Sequence, residues 1–180
     1  MTINNIPNIV KNIKLLISDV DGVLTDGKIL INSNHTEGKL FNVEDGTGVA
    51  LARYADLPIA LISGRYSDST TIRAKELGIE HCFQNTLNKM SMLDKILEIY
   101  PFKYHEVAYI GDGLVDLPLL KIVGLPISVP NAHKLSKKNA IYITKKSGGE
   151  GVLLEVVETI LKSQNKYEDV LELMRKDKFE

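Results

Sequence analysis

Four short polar clusters in this sequence combine residue types that could move a phosphoryl group. The first is Asp19-Val20-Asp21-Gly22-Val23-Leu24-Thr25. A strand running through Asp19 and turning at Gly22 can aim the Asp19 carboxylate, a backbone carbonyl and the Asp21 carboxylate at one point, and such hard oxygen ligands suit Mg²⁺. Asp19 would then be a nucleophile. Asp21 would protonate a leaving alkoxide and afterwards take a proton from water, while its backbone carbonyl bound the metal. A bare Asp-x-Asp is also an ordinary strand-to-turn pair, because aspartate is common in turns.

The second cluster, Ser63-Gly64-Arg65, follows an apolar run. A hydroxyl and free backbone N–H groups at a helix entrance suit phosphate oxygens, and Gly64 permits close approach. The same tripeptide could be a Ser N-cap followed by a solvated Arg. The third, Lys89, follows Asn88 and opens a stretch with Met90, Leu93, Ile96 and Leu97 on one face. A fixed cation there would hold a transferring phosphoryl group; taken alone, Lys89 is one of 22 basic residues. The fourth is Gly111-Asp112-Gly113-Leu114-Val115-Asp116. Asp112 would give Mg²⁺ its second carboxylate, and Asp116, one turn into a helix, would orient Lys89 or a metal-bound water. Gly-Asp-Gly is also a common loop signal. Together the clusters supply what an in-line phosphoryl transfer needs.

What must position them is an alternation of apolar runs and amphipathic stretches. Residues 14–18, 58–62, 106–110 and 125–129 resemble buried strands, and 140–144 offers another. Helical spacing covers 45–55, 67–77, 89–100, 115–123, 151–161 and 167–175. This βαβα order predicts an α/β, doubly wound, mainly parallel Rossmann-like sheet. Each polar cluster then falls at the carboxyl end of a strand or the start of the next helix, where such sheets bind ligands. One segment breaks the alternation: 28–32 and 39–43 read as strands flanking 33–38, a β-hairpin placed as a flap after the first strand. Residues 165–180 read as a helical C-terminal tail, and 1–180 as one domain without repeats or linkers.

A chain of 180 residues can bury a core unaided. Its formal charge of -1 gives no global field for nucleic acid or a membrane surface. Cys82 has no disulfide partner, the first twenty residues lack a signal-peptide pattern, and no apolar run approaches membrane-span length, so the expectation is a cytoplasmic protein.

The four clusters resemble the motifs of the haloacid dehalogenase-like hydrolases, at Asp19 to Thr25, Ser63, Lys89 and Asp112 to Asp116. Within them the chain is similar to the small capless branch of KDO 8-phosphate (3-deoxy-D-manno-octulosonate 8-phosphate) phosphatases. That likeness rests on Asp19 to Gly27, Phe41-Asn42-Val43, Asp45-Gly46, Ser63-Gly64-Arg65, Asn88-Lys89 and Gly148-Gly149-x-Gly151. The resemblance implies a Mg²⁺-dependent phosphomonoesterase of lipopolysaccharide precursor synthesis with an aspartyl-phosphate intermediate. It also implies a homotetramer whose hairpins form a barrel and whose active sites are completed by neighbouring subunits. A sugar-acid site lined by Asn42, Val43, Glu44, Asp45, Gly46, Arg65 and Arg73 follows, arginine suiting a carboxylate by its planar donors. Arg73 could equally be a solvated helix residue.

Four positions depart from the branch, one of them Gly113, which stands where a second aspartate is common after Asp112. Glu44 and Ala50 stand where arginine and another basic residue are usual, and Leu154 replaces an arginine before Glu155. Relatives acting on nine-carbon sialic-acid-type 9-phosphates are associated with an acidic residue where this chain has Arg65, which favours the eight-carbon substrate. A non-catalytic scaffold would fit the lost charges at Glu44 and Ala50, but the intact aspartates and Lys89 speak against it. A receiver domain also phosphorylates an aspartate on a doubly wound sheet, but there the aspartate follows a central strand, and here it follows the first.

Overall fold

The computed structural model describes residues 6–179, with side chains from residue 8 to residue 177. A short helix, α1 (Ile6–Val10), leads into the first strand, β1 (Leu15–Ser18). The hairpin strands β2 (Leu30–Ile31) and β3 (Glu37–Gly38) follow, then α2 (Val43–Tyr54), β4 (Ile59–Ile62), α3 (Asp68–Leu77) and β5 (His81–Phe83). The second half runs α4 (Lys89–Ile99), β6 (Val107–Ile110), α5 (Leu117–Leu120), β7 (Leu125–Ser128), α6 (Lys134–Asn139), β8 (Tyr142–Ile143), α7 (Val152–Ser163) and α8 (Tyr167–Phe179).

Six strands form one sheet in the order β5-β4-β1-β6-β7-β8, and every pairing in it is parallel. The expected α/β architecture is therefore present. β1 is first in the chain yet interior in the sheet, so the contrast drawn from sequence between a first and a central strand does not hold in space. Strand side chains alternate between the two faces as a pleat requires. Leu16, Leu61, Ala108 and Ile127 pack into one apolar cluster with residues of α2 and α7, whereas Leu15, Ile17, Ala60 and Tyr109 pack into another with Leu93 and Ile96 of α4.

The hairpin differs from its sequence reading. Only two residues per strand pair, Leu30 with Gly38 and Ile31 with Glu37, and the second strand precedes the expected 39–43. His35, with φ of 64°, closes the turn by donating its N–H to the Asn32 carbonyl. Residue 43 instead begins α2, because Asn42 Oδ1 accepts the Glu44 N–H and caps the helix. The helix expected over 115–123 is shorter: a 3₁₀ turn, Leu114–Asp116, precedes α5. Strand β5 and helices α1 and α6 carry no clear periodic signal in the sequence. Tail helix α8 docks on its own chain, burying Val170 against the α2 and α7 layer.

Asp45 illustrates how α2 is fastened to α7. Its carboxylate is 1% exposed, and Oδ1 accepts the Leu153 N–H at 3.0 Å, capping the first turn of α7. The sequence reading sets Asp45 among the residues lining a sugar-acid site; within this chain its Oδ1 serves an interior helix end. Burial pushes its pKa up to about 6, against the opposing pull of the Leu153 N–H and the Arg73 charge. The fold therefore binds a proton here more tightly than the unfolded chain does. The group's contribution to stability is complete below about pH 4 and is lost as pH rises through about 6. Asp45→Asn lacks that loss, so urea unfolding should show the variant gaining about 2 kcal/mol on the parent between pH 4 and pH 7. Parallel stability curves for the two proteins would contradict the shift.

Candidate active site

Asp19 directly follows β1, Ser63 follows β4, and Gly111 and Asp112 follow β6, so three neighbouring strands deliver these residues to one edge of the sheet. This is the carboxyl edge, beside the point where strand order reverses around β1.

Lys89, at the first position of α4, has a fully buried side chain with its ammonium 2.8 Å from Asp19 Oδ2 and 2.6 Å from Asp116 Oδ1. It also donates to the Tyr109 hydroxyl at 3.1 Å, and Tyr109 donates to Asp116 Oδ1 at 2.5 Å. Asn88 starts α4 by accepting the Ser91 N–H, which fixes where Lys89 leaves the backbone. Asp116 precedes α5 rather than lying a turn inside it. Its Oδ2 accepts the N–H groups of Asp112 and Gly113 at 3.0 and 2.8 Å. With both oxygens engaged, Asp116 has little to offer a cation, although carboxylate atoms of Asp19, Asp112 and Asp116 lie within 4.8 Å of one another.

Burial raises Asp19 to about 7, the Asp116 charge adding to it and Lys89 opposing it. Burial and the charge of Asp116 likewise push Asp112 up to about 6. Burial alone would lower Lys89, but Asp19 and Asp116 outweigh it and its pKa is raised. Carboxylates crowded in this way, with hard oxygens pointing together, fit a divalent cation between Asp19 and Asp112.

Two glycines let the loops converge. Gly22 has φ of +90°, and a Cβ there would lie 2.2 Å from Asp112 Oδ2. Gly148, in the sequence's Gly-Gly-x-Gly run, meets the first loop so closely that a Cβ would sit 1.9 Å from the Gly22 carbonyl oxygen. Asn131 ties both loops, donating to the Gly22 carbonyl at 3.2 Å and accepting the Gly148 N–H at 2.8 Å.

Ser63 is buried, its Oγ accepting the Arg65 N–H at 3.2 Å. It does not cap α3, whose N-cap is Ser67. Gly64 packs near Leu87 and the Thr86 carbonyl. The Asp21 side chain turns toward the hairpin, where Lys39 Nζ lies 2.6 Å from Asp21 Oδ1 and 3.7 Å from Glu37 Oε1. Glu37 in turn pairs with Arg65 at 2.7 Å. Burial would raise Glu37, but the Arg65 hydrogen bond and the charges of Arg65 and Lys39 hold it below the usual range.

The remaining sugar-site candidates serve several ends. Arg73 is neither solvated nor free: it donates to the Asn42 carbonyl at 2.9 Å and pairs with Glu76 at 2.9 Å, joining α3 to the start of α2. Asn42 Nδ2 donates to the Gly149 carbonyl. Val43 points outward, Gly46 packs against Leu77, and Glu44 forms an ion pair with Lys146. Lys39, Tyr109, Asn131 and Lys146 lie outside the motifs that the sequence singles out. Only the proximity of Tyr109 to the Gly111-to-Asp116 cluster could have pointed to one of them.

A sequence profile described as haloacid dehalogenase-like hydrolase matches residues 58–156. The 3-deoxy-D-manno-octulosonate 8-phosphate phosphatase KdsC of Escherichia coli (strain K12) is 41% identical over 159 residues, which is 88% of this chain and 85% of that protein. A Moraxella catarrhalis 3-deoxy-D-manno-octulosonate 8-phosphate phosphatase, solved with magnesium ion, phosphate ion and KDO, is 40% identical with a TM-score of 0.92, covering 96% of this chain and 99% of that one. A putative HAD superfamily (subfamily III A) hydrolase from Legionella pneumophila is 36% identical with a TM-score of 0.93, covering 96% and 95%. The profile spans more than half of the chain and the relatives are about 40% identical over most of both chains, so the chain belongs to the haloacid dehalogenase-like hydrolases.

Proposed function

We propose that this chain is a Mg²⁺-dependent phosphatase that releases phosphate from 3-deoxy-D-manno-octulosonate 8-phosphate, using Asp19 as nucleophile. The observation that carries the chemistry is the buried set of Asp19, Lys89 and Asp116 with Asp112 alongside. The substrate reading is supported by likeness to proteins of that activity over most of both chains.

Asp19 and Asp112, with the Asp21 backbone carbonyl, would hold Mg²⁺. When bound, the ion neutralises charge on the phosphoryl oxygens. An Asp19 oxygen forms a bond to phosphorus as the bond from phosphorus to the sugar oxygen breaks, and Asp21 gives that oxygen its proton. Asp21 then takes a proton from the water that displaces phosphate from Asp19. Lys89 holds the Asp19 carboxylate in place and faces the charge of the transferred group, while Asp116 and Tyr109 fix Lys89. Ser63 and its neighbouring N–H groups receive phosphoryl oxygens. Arg65 is the cation proposed for the sugar acid's carboxylate. Glu44 does not face it as an uncompensated charge, because Lys146 pairs with it.

Asp19→Asn should lower phosphate release by about a thousandfold or more, for KDO 8-phosphate and para-nitrophenyl phosphate alike. Removing divalent cations with a chelator should silence the parent enzyme reversibly. Turnover by the variant at the parental rate would exclude Asp19 as nucleophile.

A homotetramer assembled through the hairpins belongs to the same proposal. Leu30, Ile31, Leu40 and Val43 are 64, 74, 84 and 81% exposed, an apolar cluster that a second chain would cover. Light scattering should then give about 80 kDa, four chains of 20.0 kDa, and Leu30→Asp with Leu40→Asp should reduce it. A monodisperse 20.0 kDa species for the parent protein would rule the assembly out.

A further inference from the structure

We propose that Lys39, on the hairpin, is a positioning residue that sets the Asp21 carboxylate for proton transfer to the leaving group. The inference rests on the phosphatase reading above and adds to it a residue outside the four motifs.

The Lys39 side chain is 0% exposed, although lysine is among the residues least often buried without a partner. Its ammonium lies 2.6 Å from Asp21 Oδ1 and 3.7 Å from Glu37 Oε1. Among the described residues no side chain or backbone donor makes an aligned hydrogen bond to either Asp21 oxygen, so this ion pair is what orients the carboxylate. A buried ammonium is held only by opposite charge or hydrogen bonds, and here the opposite charges are those two carboxylates.

The position of Lys39 is itself fixed. Glu37, two residues earlier, pairs with Arg65 beyond β4, and its carbonyl accepts the Ser69 hydroxyl at 3.0 Å. The hairpin is thereby pinned to α3 and to the Ser63-Gly64-Arg65 loop, and it delivers an ammonium to Asp21. Two lysines thus divide the pair of motif aspartates, Lys89 on Asp19 and Lys39 on Asp21. An Asp21 carboxyl that turns freely would meet the leaving oxygen only part of the time. A placed one meets it in the geometry that proton transfer demands.

The consequence depends on the leaving group. Breaking the bond from phosphorus to an alkyl oxygen needs a proton on that oxygen, which Asp21 supplies as the Asp19–phosphorus bond forms. A para-nitrophenolate leaves without one. Loss of Lys39 should therefore penalise the sugar phosphate selectively, whereas general damage to the site would penalise both esters.

The test compares kcat/KM of Lys39→Met and Lys39→Gln with the parent holoenzyme, on KDO 8-phosphate and on para-nitrophenyl phosphate at saturating Mg²⁺. Unfolding curves select the variant that keeps the fold. The expected result is a fall of about tenfold or more on the sugar phosphate against less than about threefold on the aryl ester, with Lys39→Arg restoring part of the difference. In an Asp21→Asn background the Lys39 substitution should add no selective loss. Equal falls on both esters, no fall, or an undiminished selective loss without Asp21 would overturn the role of Lys39 and leave the phosphatase reading intact. A parent enzyme inactive on both esters would overturn the phosphatase reading and the inference with it.

Discussion

The site is organised around a buried ammonium. Lys89 has no access to water, and the interior tolerates its charge only because Asp19, Asp116 and Tyr109 converge on it from β1, the turn before α5 and β6. Each contact restricts something else. Asn88 must start α4 where it does, Asp116 must fold back onto the Asp112 and Gly113 amides, and β1 must lie beside β6 in register. Three carboxylates against one ammonium leave an excess of two negative charges, which one divalent cation cancels. The raised pKa values of Asp19 and Asp112 come first from burial, and the charge of Asp116 adds to both.

Residues whose roles depend on strand ends were legible in the sequence. The runs that became β1, β4, β6 and β7 are apolar on both faces, as parallel strands between two helical layers must be, and their carboxyl ends locate Asp19, Ser63 and Asp112. β5 was not legible: His81–Phe83 is a half-buried edge strand of three residues, too short for a pattern. The hairpin was misplaced for another reason. Leu40 and Val43 look like strand residues because they are apolar in an alternating stretch, yet neither faces this chain's own core.

Partnerships formed across the fold left weaker traces. Tyr109 reads as one more apolar residue of a buried strand until its hydroxyl is seen between Lys89 and Asp116. Lys39 reads as one basic residue among 22, and nothing local reveals that Asp21 lies against it. Glu44 looked like a charge reversal in a sugar-acid pocket, whereas the structure pairs it with Lys146, more than a hundred residues later. Charge compensation over such separations is a property of the fold and cannot be read from neighbours in sequence.

The interior place of β1 bears on how the protein comes into being. Its two neighbours, β4 and β6, lie roughly forty and ninety residues downstream, so one side of the first strand waits for about a third of the chain and the other for more than half of it. Asp19 leaves the ribosome early but acquires its lysine, its second carboxylate and its flanking strands late. A chain that ends before β6 therefore lacks the second carboxylate and the aspartate that holds Lys89, and gain of activity during refolding reports the closing of long-range contacts instead of the formation of any single helix or turn.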